Sequence, residues 1–381
     1  MAAAPAGPTW WSWSQEWLNL KRPQWSGHSR RTAVESLGVI TPLMIRADAP
    51  PKPDDLADWL RHHGYHPGSL GWSAVPSWLE AWSVPLADVS LALLETVLRG
   101  VSTKADGTPL MASVARRRRN TIGSILRSAV RRGILDADPM VRIEWRAPAA
   151  NIAVDVALVP SPDDVEDIVD CVADLPFGSA RYAALFATIG MAGMRPSEAS
   201  GLRVVDLKLP SSGWGTAAVR GAITSPGTRY TADGTTVESK GLKQRPTDAV
   251  RDVPLPPSLV AHLTRHLAAW ESVDGRIFAN ALGRPVTTSN YGPIWVRARE
   301  RLWPHGHPLS KARVYDLRHS AATMMLRAGV PAAEVARRLG HSVDVLMRVY
   351  AGVFEDERAR SNELIEQALA RRRTMTSSSA G

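Results

Sequence analysis

Apolar residues recur at helical spacing through most of the first 150 residues. In the segment 29–40, Val34, Leu37 and Ile40 stand three residues apart and form one apolar side, and Pro42 follows, where it would end or kink the helix. A short helix is predicted over Asp54–His63, with Pro53 suited to the position just ahead of its first turn. Periodic apolar residues predict further helices over Leu86–Gly100 and Met111–Gly133. The first part of the chain is therefore predicted to be helical.

The stretch 147–159 has little periodicity and separates this part from one of mixed pattern. Ser161 and Pro162 suit an N-cap and a first helical position, so a new domain is predicted to begin near residue 150. Strand-like segments between Gly, Pro and Asp turns predict strands over Leu202–Leu207, Thr216–Ile223, Thr235–Glu238 and Arg251–Leu255. Helices are predicted over Leu185–Gly193, Leu317–Arg327 and Ala332–Leu339. The predicted fold class is mainly α with a small antiparallel sheet.

Composition and charge narrow the class of protein. The 381 residues carry a formal net charge of +9 and give a pI near 10.0, which favours an anionic partner, with nucleic acid ahead of a membrane. Cys171 is the sole cysteine, which excludes an internal disulfide framework and a multi-cysteine zinc site. The longest apolar run, near 183–194, is too short to span a bilayer, and the N-terminus lacks the basic region of a secretory signal. We therefore expect a soluble intracellular protein.

The residues that suggest chemistry lie in the second part of the chain. Arg195 begins a helix, and Tyr315 and Arg318 stand three residues apart near the start of another. His341 follows the glycine that ends the helix Ala332–Leu339, and Tyr350 lies further along. Each of these residues alone is more typical of a surface or core position. The ordered set of two arginines, a histidine and a tyrosine points instead to phosphodiester chemistry.

Four short motifs carry a resemblance to a known family. In each of these four motifs, the second part of the chain resembles the tyrosine recombinases, also called the phage integrase family. The motifs, whose order and spacing agree over about 160 residues, are Gly193-Met194-Arg195-Pro196-Ser197-Glu198-Ala199, Asp316-Leu317-Arg318-His319-Ser320-Ala321-Ala322-Thr323, Leu339-Gly340-His341-Ser342 and Val349-Tyr350-Ala351. The helical first part is similar to the family's core-binding domain in pattern only.

The resemblance implies a role for each site residue. Arg195 and Arg318 would clamp the nonbridging phosphate oxygens bidentately, as guanidinium geometry allows, and His341 would hydrogen-bond the phosphate. Tyr350 would attack in line, form a 3′-phosphotyrosine and expel a 5′-hydroxyl. A lysine of the hairpin would protonate that leaving oxygen; Lys243 is preferred, with Lys240 as the alternative.

One position departs from the family pattern. The family usually has a histidine three residues before the second arginine, where this chain has Tyr315. That histidine is often assigned proton transfer at the nucleophile. A tyrosine hydroxyl can donate a hydrogen bond to phosphate but is a poor base near neutral pH. We expect activity to survive, with Glu198 supporting the site rather than reacting.

The arginine-rich part of the predicted helix Met111–Gly133 has two interpretations. Arg116–Arg119 are consecutive and point around most of the helix, so they cannot all contact one surface. The first interpretation is that they form a solvent-exposed cationic surface. In a basic chain with this set of site residues, phosphate contact is the better interpretation. The residues assigned to DNA binding are Arg116, Arg117, Arg119, Arg127 and Lys240. Tryptophans crowd the segment 10–25 and are expected to anchor it on its own domain.

The resemblance also implies an organisation for the whole chain. Residues 1–150 would be a helical core-binding domain that clamps DNA, residues 151–375 the tyrosine recombinase catalytic domain, and residues 376–381 a disordered tail. The amphipathic segment Asp356–Arg373 would form a terminal helix that packs either on its own domain or on a neighbouring protomer.

The implied activity is that of a site-specific DNA recombinase or integrase that needs no cofactor, metal or ATP. Its partners would be double-stranded DNA and three further copies of the chain, a homo-tetramer on DNA, together with accessory DNA-bending or directionality factors. It would be cytoplasmic, bacterial or phage-encoded, nucleoid-associated, and would serve a mobile element, although a resolvase role stays open. The alternatives are a type IB topoisomerase and a non-catalytic DNA-binding relative.

Overall fold

The fold is taken from a computed structural model of the chain. It describes residues 7–66, 74–104, 106–148, 153–242, 249–355, 362–363, 365–367 and 369, without the side chains of residues 354 and 355. Contacts divide the chain into two units, Met1–Ala150 with Pro226–Glu238, and Asn151–Ser225 with Ser239–Gly381. That the segment Pro226–Glu238 belongs with the first unit was not predicted.

The first unit is built from helices. These are α1 (Trp10–Lys21), α2 (Gly27–Ile40), α3 (Leu56–Trp59), α4 (Val75–Trp82), α5 (Leu91–Ser102) and α6 (Ala112–Arg131). The helix predicted over Asp54–His63 is instead the short α3 followed by a π-helical turn, Leu60–Gly64. The helix predicted from Leu86 begins only at Leu91, because Leu86–Asp88 form a 3-10 turn and Ser90 caps α5.

Helix α1 was not among the predicted helices. Its tryptophans Trp10, Trp13 and Trp17 are buried, as the anchoring interpretation expects. Each indole nitrogen has a partner: Trp10 donates to Thr41 Oγ1, Trp13 to the carbonyl of Ile125, and Trp17 to Ser124 Oγ, at 3.2–3.3 Å. Because so many positions of α1 are apolar, no single periodic stripe identified it as a helix.

The segment Pro226–Glu238 contributes to the first unit through the start of α2. The carboxylate of Glu238 accepts hydrogen bonds from the amide of Gly27, with its two oxygens at 2.9 and 3.1 Å. Arg30 Nη1 donates to the carbonyl of Tyr230 at 2.9 Å. A Cβ at Gly27 would lie 2.6 Å from Pro226 Cγ, so this close approach requires glycine.

The second unit carries the remaining helices and short strands. The helices are α7 (Pro162–Asp174), α8 (Ala183–Ala192), α9 (Pro196–Ala199), α10 (Pro257–Ala269), α11 (Thr288–Leu302), α12 (Val314–Arg327), α13 (Ala332–Leu339), α14 (Val343–Val349) and α15 (Ala351–Glu355). The strands are β1 (Leu207–Lys208), β2 (Gly215–Val219), β3 (Gly221–Thr224), β4 (Glu238–Gly241) and β5 (Arg251–Leu255). A mainly helical chain with small antiparallel pairings confirms the predicted fold class.

The strands form two sheets rather than the single one predicted. β2 pairs antiparallel with β1 and β5, and β3 pairs with β4 in a separate sheet. The predicted strand Thr216–Ile223 is therefore two strands interrupted at Arg220, and Leu202–Leu207 is mostly a 3-10 turn, with a strand only from Leu207. The strand predicted over Thr235–Glu238 lies three residues later, whereas Arg251–Leu255 has the predicted bounds.

Helix α8 is the centre of the second unit. It is apolar on all sides and is buried almost throughout, packed between α7 and α12. It ends at Gly193, which has φ +66°, and α13 ends in the same left-handed way at Gly340. These two helix ends leave carbonyl oxygens free of helical partners, and the functional site is built around them.

Some predictions fall outside the described residues. Lys243, the segments 149–152 and 376–381, and most of the predicted helix Asp356–Arg373 belong to this group. Among the helices that are described, none is both long and apolar enough to cross a lipid bilayer.

Candidate active site

Arg318 lies at the centre of the site and is 0% exposed. Its Nη1 donates to the carbonyl of Gly193, and its Nη2 donates to the carbonyl of Leu339, both at 2.6 Å. These carbonyls close α8 and α13, whose dipoles place negative charge there and so favour a cation. Burial and then the charge of Arg195 lower the pKa of Arg318 to about 10, so it is still protonated at pH 7.

A buried carboxylate, Glu198, organises three arginines. Arg195 Nη1 donates to Glu198 Oε1 at 2.7 Å, and Arg251 donates to both Glu198 oxygens at 3.1 and 2.6 Å. Arg318 Nη1 lies 3.9 Å from Glu198 Oε2. Burial opposes ionisation of Glu198, but the hydrogen bonds and charge of Arg251, then of Arg195 and Arg318, outweigh it and lower its pKa to about 2. Three guanidinium groups against one carboxylate leave the cluster with excess positive charge.

Arg195 is the most accessible of these arginines, with 23% of its side chain exposed. It precedes the short helix α9, where its amide donates to Glu198 Oε2 at 3.0 Å. Its Nη2 donates to the carbonyl of Gly340 at 3.2 Å. Arg195 and Arg318 are therefore both held by the carbonyl end of α13. A Cβ at Gly340 would collide with Arg251 Nη1, so glycine is needed for this packing as well as for the positive φ.

His341 stands beside Arg318 in a defined tautomer. Arg318 Nη2 lies 2.9 Å from His341 Nε2 and can only donate, so Nε2 accepts and Nδ1 carries the hydrogen. Burial, then the charges of Arg318 and Arg195, lower the pKa of His341 to about 4, so it is neutral at pH 7. Within the described residues, His341 Nδ1 and Arg318 Nε are buried and have no hydrogen-bond partner. Two N–H groups of the site are thus left for an acceptor.

Tyr350 caps the C-terminus of α14 and is 0% exposed. Its hydroxyl lies 2.8 Å from His319 Nδ1. Burial raises the pKa of Tyr350, against the influence of Arg318, so the phenol keeps its proton in this environment. The backbone of Val154 donates to the carbonyl of Val349 at 2.8 Å, which fixes the turn that carries the tyrosine.

Tyr315 and His319 border a cavity of about 600 Å³ together with His341. Tyr315 is 37% exposed, and its ring meets that of His319 edge-on, with centroids 5.3 Å apart. The Arg318 guanidinium lies 6.0 Å from the Tyr315 ring centroid, so these two residues share a face of α12 as predicted from their spacing. The cavity gives an anionic ligand access to His341 and His319.

Of the two lysines predicted as the proton donor, the structure describes Lys240 but not Lys243. Lys240 lies in β4, half-buried, next to β3, which packs against α9. A Cβ at Gly221 would lie 2.6 Å from the Lys240 carbonyl, which shows how closely the two strands approach. Lys243 lies outside the described residues, and the choice between the two lysines stays a prediction.

The predicted DNA-binding arginines of α6 belong to the first unit. Arg116, Arg117 and Arg127 are exposed, and Arg127 lies 3.7 Å from Asp138. Arg119 is half-buried and packs over the ring of Trp145 at 5.4 Å. Arg118, which was not assigned to DNA, donates to the carbonyl of Val101 at 3.0 Å.

Two residues of the site were missed from the sequence. Arg251 lies on the same face of its strand as Val253 and Leu255, which are both buried. An arginine on a buried strand face needs a buried acidic partner, and this was the signal available in the sequence. His319 lies in the second motif, and the resemblance implies no role for it. Its position in the sequence was the available signal: His319 follows Arg318 directly and lies four residues after Tyr315, so it shares a helix face with Tyr315.

Comparisons with known proteins agree with this site. A sequence model described as the phage integrase family matches residues 160–357. Tyrosine recombinase XerC of Lactobacillus delbrueckii subsp. bulgaricus is 27% identical over 249 residues, which cover 65% of this chain and 75% of that protein. The putative prophage phiRv2 integrase of Mycobacterium tuberculosis is 28% identical over 253 residues, covering 65% of this chain and 59% of that one.

Solved structures share the fold. The Tn1549 transposon integrase, in complex with transposon right-end DNA, has a TM-score of 0.56 at 16% identity, covering 86% of this chain and 99% of that one. The XerH site-specific recombinase, bound to its difH substrate, has a TM-score of 0.51 at 14% identity, covering 88% and 90%. These matches are recombinases and integrases, so the topoisomerase and non-catalytic alternatives are not favoured. Since the family match spans more than half of the 381 residues, the chain belongs to the phage integrase family, the tyrosine-type site-specific DNA recombinases.

Proposed function

We propose that this recombinase cleaves and rejoins DNA through a 3′-phosphotyrosine at Tyr350. The observation that carries the proposal is the pair of buried, unpartnered N–H groups, Arg318 Nε and His341 Nδ1, beside Arg195 among the described residues. Burying donors without acceptors costs free energy, and a phosphate oxygen is the acceptor that the excess positive charge of the site favours. The cluster is therefore suited to a phosphodiester.

Charge stabilisation is the main contribution of the arginines. A phosphodiester passing through a pentacoordinate state gains negative charge on its nonbridging oxygens. Arg195, which is partly exposed, is placed to offer two N–H groups to these oxygens. Arg318 has both terminal nitrogens engaged by carbonyls and His341, so its contact would come mainly from Nε. The bidentate clamp predicted for both arginines is thus better suited to Arg195.

The nucleophile is the Tyr350 hydroxyl. Its oxygen would form a bond to phosphorus while the bond to the 5′ oxygen breaks, and the leaving oxygen would take a proton from Lys243 or Lys240. The phosphotyrosine keeps the energy of the broken linkage, so rejoining needs no ATP. Tyr350 is fully buried, and in-line attack needs its oxygen within about 3.5 Å of phosphorus, so DNA binding must open a path between this oxygen and the phosphate.

The partner is double-stranded DNA with specific recombination sites, bound by four copies of the chain. The exposed arginines Arg116, Arg117 and Arg127 of α6 would contact phosphates and contribute affinity without reading sequence. Two of the proteins described above support a mobile-element role, since one is named as a transposon integrase and one as a prophage integrase. Accessory bending or directionality factors and association with the nucleoid belong to the same proposal.

The test uses nicked duplexes that tile the DNA beside the protein's own gene, where the attachment site of an integrase commonly lies. A protein–DNA adduct that resists SDS, mapped to the Tyr350 peptide and confined to one sequence, is the expected result. Tyr350→Phe should bind that duplex with unchanged affinity and form no adduct. An adduct that persists in Tyr350→Phe would remove Tyr350 from the mechanism.

A further inference from the structure

The Tyr350 hydroxyl has one hydrogen-bond partner among the described residues, His319 Nδ1, at 2.8 Å. The two rings meet edge-on, with centroids 5.6 Å apart, so the imidazole edge points at the phenol. His319 projects from α12, one residue after Arg318, and its helix is fixed at this point by the two carbonyls that hold Arg318. The imidazole is therefore positioned by the same contacts that build the phosphate site.

His319 also borders the cavity that Tyr315 and His341 share, whereas Tyr350 is fully buried. Three charged groups act on the imidazole of His319: Asp316, Arg313 and Arg318. The ring of Tyr315 contacts it, and His341 lies close enough for the two histidines to interact electrostatically. Burial, together with the arginines and against Asp316, lowers the pKa of His319 to about 4. A neutral imidazole has one bare nitrogen that can accept a hydrogen bond from the phenol at pH 7, and the negative charge of a bound phosphodiester would raise the pKa of His319 and so its strength as a base.

We propose that His319 is a further catalytic residue, which accepts the proton of Tyr350 through Nδ1 as the tyrosine attacks the phosphodiester. This inference rests on the proposed function, because it takes Tyr350 as the nucleophile. It gives a base to a phenol that is otherwise enclosed and held in its protonated form. It also supplies an imidazole at the nucleophile in a chain where Tyr315 cannot.

The step balances. The Tyr350 oxygen forms its bond to phosphorus, and its proton moves to His319 Nδ1, which becomes an imidazolium whose other nitrogen already carries a hydrogen. The bond from phosphorus to the 5′ oxygen breaks, and that oxygen takes a proton from the hairpin lysine. One cation is gained at His319 and one is lost at the lysine, so the net charge of the site is unchanged. Rejoining reverses both transfers, and His319 returns the proton to Tyr350.

A first test needs no DNA. Nitrogen-15 spectra of the full chain labelled at histidine, with the His319 signals assigned by their loss in His319→Gln, report which ring nitrogen bears hydrogen. The proposal expects Nδ1 to be bare and Nε2 protonated, and it expects the Nδ1 signal to move in Tyr350→Phe. A protonated Nδ1 that donates to the phenol oxygen overturns the proposal, whether or not a DNA site is known.

The second test measures the single-turnover rate of adduct formation on the nicked duplex identified with the wild-type protein. His319→Ala and His319→Gln are both expected to lose about 100-fold or more, since a general base contributes 10²–10⁴-fold. Glutamine can accept the phenol hydrogen bond but not its proton, so recovery in His319→Gln relative to His319→Ala would reduce His319 to a positioning residue. His305→Gln, an exposed histidine of the same unit, is the matched control.

A sulfur-substituted duplex separates attack from leaving-group departure. When sulfur replaces the bridging 5′ oxygen, the leaving thiolate needs no proton, so a defect in the lysine step is relieved. The defect of His319→Ala is expected to persist on that duplex, and its disappearance would assign His319 to the leaving group and overturn the proposal. Failure of the proposed function is distinguishable, because it would appear as an adduct in Tyr350→Phe rather than as a change in His319 variants.

Discussion

Two sets of arginines in this molecule illustrate opposite uses of the same side chain. In the second unit, Arg318 is 0% exposed and donates to two helix-end carbonyls and to His341. In α6 of the first unit, Arg116 and Arg117 are exposed. The first arrangement fixes a charge before any ligand arrives, at the expense of burying it. The second keeps its charges hydrated and gains from phosphates only through counterion release.

The difference lies in what surrounds each guanidinium. The buried set needs Glu198, two left-handed glycines and the carbonyl ends of α8 and α13, contributed by distant parts of the second unit. The exposed set needs only one helix. We therefore expect changes in the buried set to affect local stability and reaction rate, and changes in the exposed set to affect affinity and its dependence on salt.

The largest effect is expected from Glu198→Gln. Removing the carboxylate leaves Arg195, Arg251 and Arg318 mutually repulsive around a neutral amide, and breaking a buried ion pair costs about 3–5 kcal/mol. Hydrogen exchange of peptides from α8 and α12, followed through a urea series, measures the local free energy of unfolding. This readout avoids assuming that the two-unit chain unfolds in one step.

Glu334→Gln is the matched control for that change. Glu334 also pairs with two arginines, Arg337 and Arg338, but on the surface of α13. Exposed pairs of this kind contribute about 1 kcal/mol or less. Equal losses in the two variants would contradict the view that burial makes the Glu198 cluster different.

The next effect is on the rate of reaction, in Arg318→Lys. An ammonium is a point donor and cannot reach the Gly193 carbonyl, the Leu339 carbonyl and His341 at once. Adduct formation on the nicked duplex is expected to fall about 10²–10³-fold, as for loss of one donor to a developing charge. DNA affinity should change little, and Arg337→Lys, on the exposed side of α13, should react at the wild-type rate. A loss of affinity equal to the loss of rate would show that Arg318 acts in binding rather than in the transition state.

The buried set also shows what could be predicted from the sequence. Arg195, Arg318, His341 and Tyr350 were named because their motifs are local and ordered, and the structure brings the first three together around the end of α13. Their individual roles stay predictions. Arg251 was missed because its partnership with Glu198 joins residues 53 apart in sequence, and a single chain gives no sign of such a pair except an arginine on a buried strand face.

Fold predictions failed where tertiary contacts override local pattern. The helices α6, α8 and α13 have predicted bounds close to those observed, and α8 and α13 each end at a glycine in the left-handed conformation. The predicted strand Thr216–Ile223 was divided because its two halves pair with different partners, which period-two alternation alone cannot reveal. The insertion of Pro226–Glu238 into the first unit depends on Gly27 and Arg30, about 200 residues away.

A smaller effect is expected in the exposed set, from the double change Arg116→Gln and Arg117→Gln. If both contact phosphates, the slope of log affinity against log salt should fall by about 2, and binding should weaken similarly on all sequences. Fluorescence anisotropy on specific and nonspecific duplexes at several salt concentrations measures both quantities. Arg118→Gln is the control, because Arg118 is held by the Val101 carbonyl on the same helix and should change the slope less.

The smallest effect is expected in the pH dependence of stability, and it concerns the histidines that lie beside the buried arginines. Burial lowers the pKa of both His319 and His341 to about 4, below the unfolded value near 6.5. Between pH 6.5 and pH 4, the unfolded chain therefore binds protons at these histidines that the folded chain does not bind. The stability contributed by neutral histidines is therefore complete above pH 6.5 and is lost as pH falls towards 4.

Glu198 titrates in a lower window, since its pKa is held at about 2 and its contribution is lost only below about pH 4.5. Between pH 7 and 5 the histidines are thus the groups of this site that titrate, and we expect a loss of about 1–2 kcal/mol after allowing for solvent screening. His319→Gln combined with His341→Gln should flatten this slope for α12 and α13 peptides in hydrogen exchange. Exposed His305→Gln, which lies outside the site, is the control. An unchanged slope in the double variant would mean that water reaches the site more freely than its burial indicates.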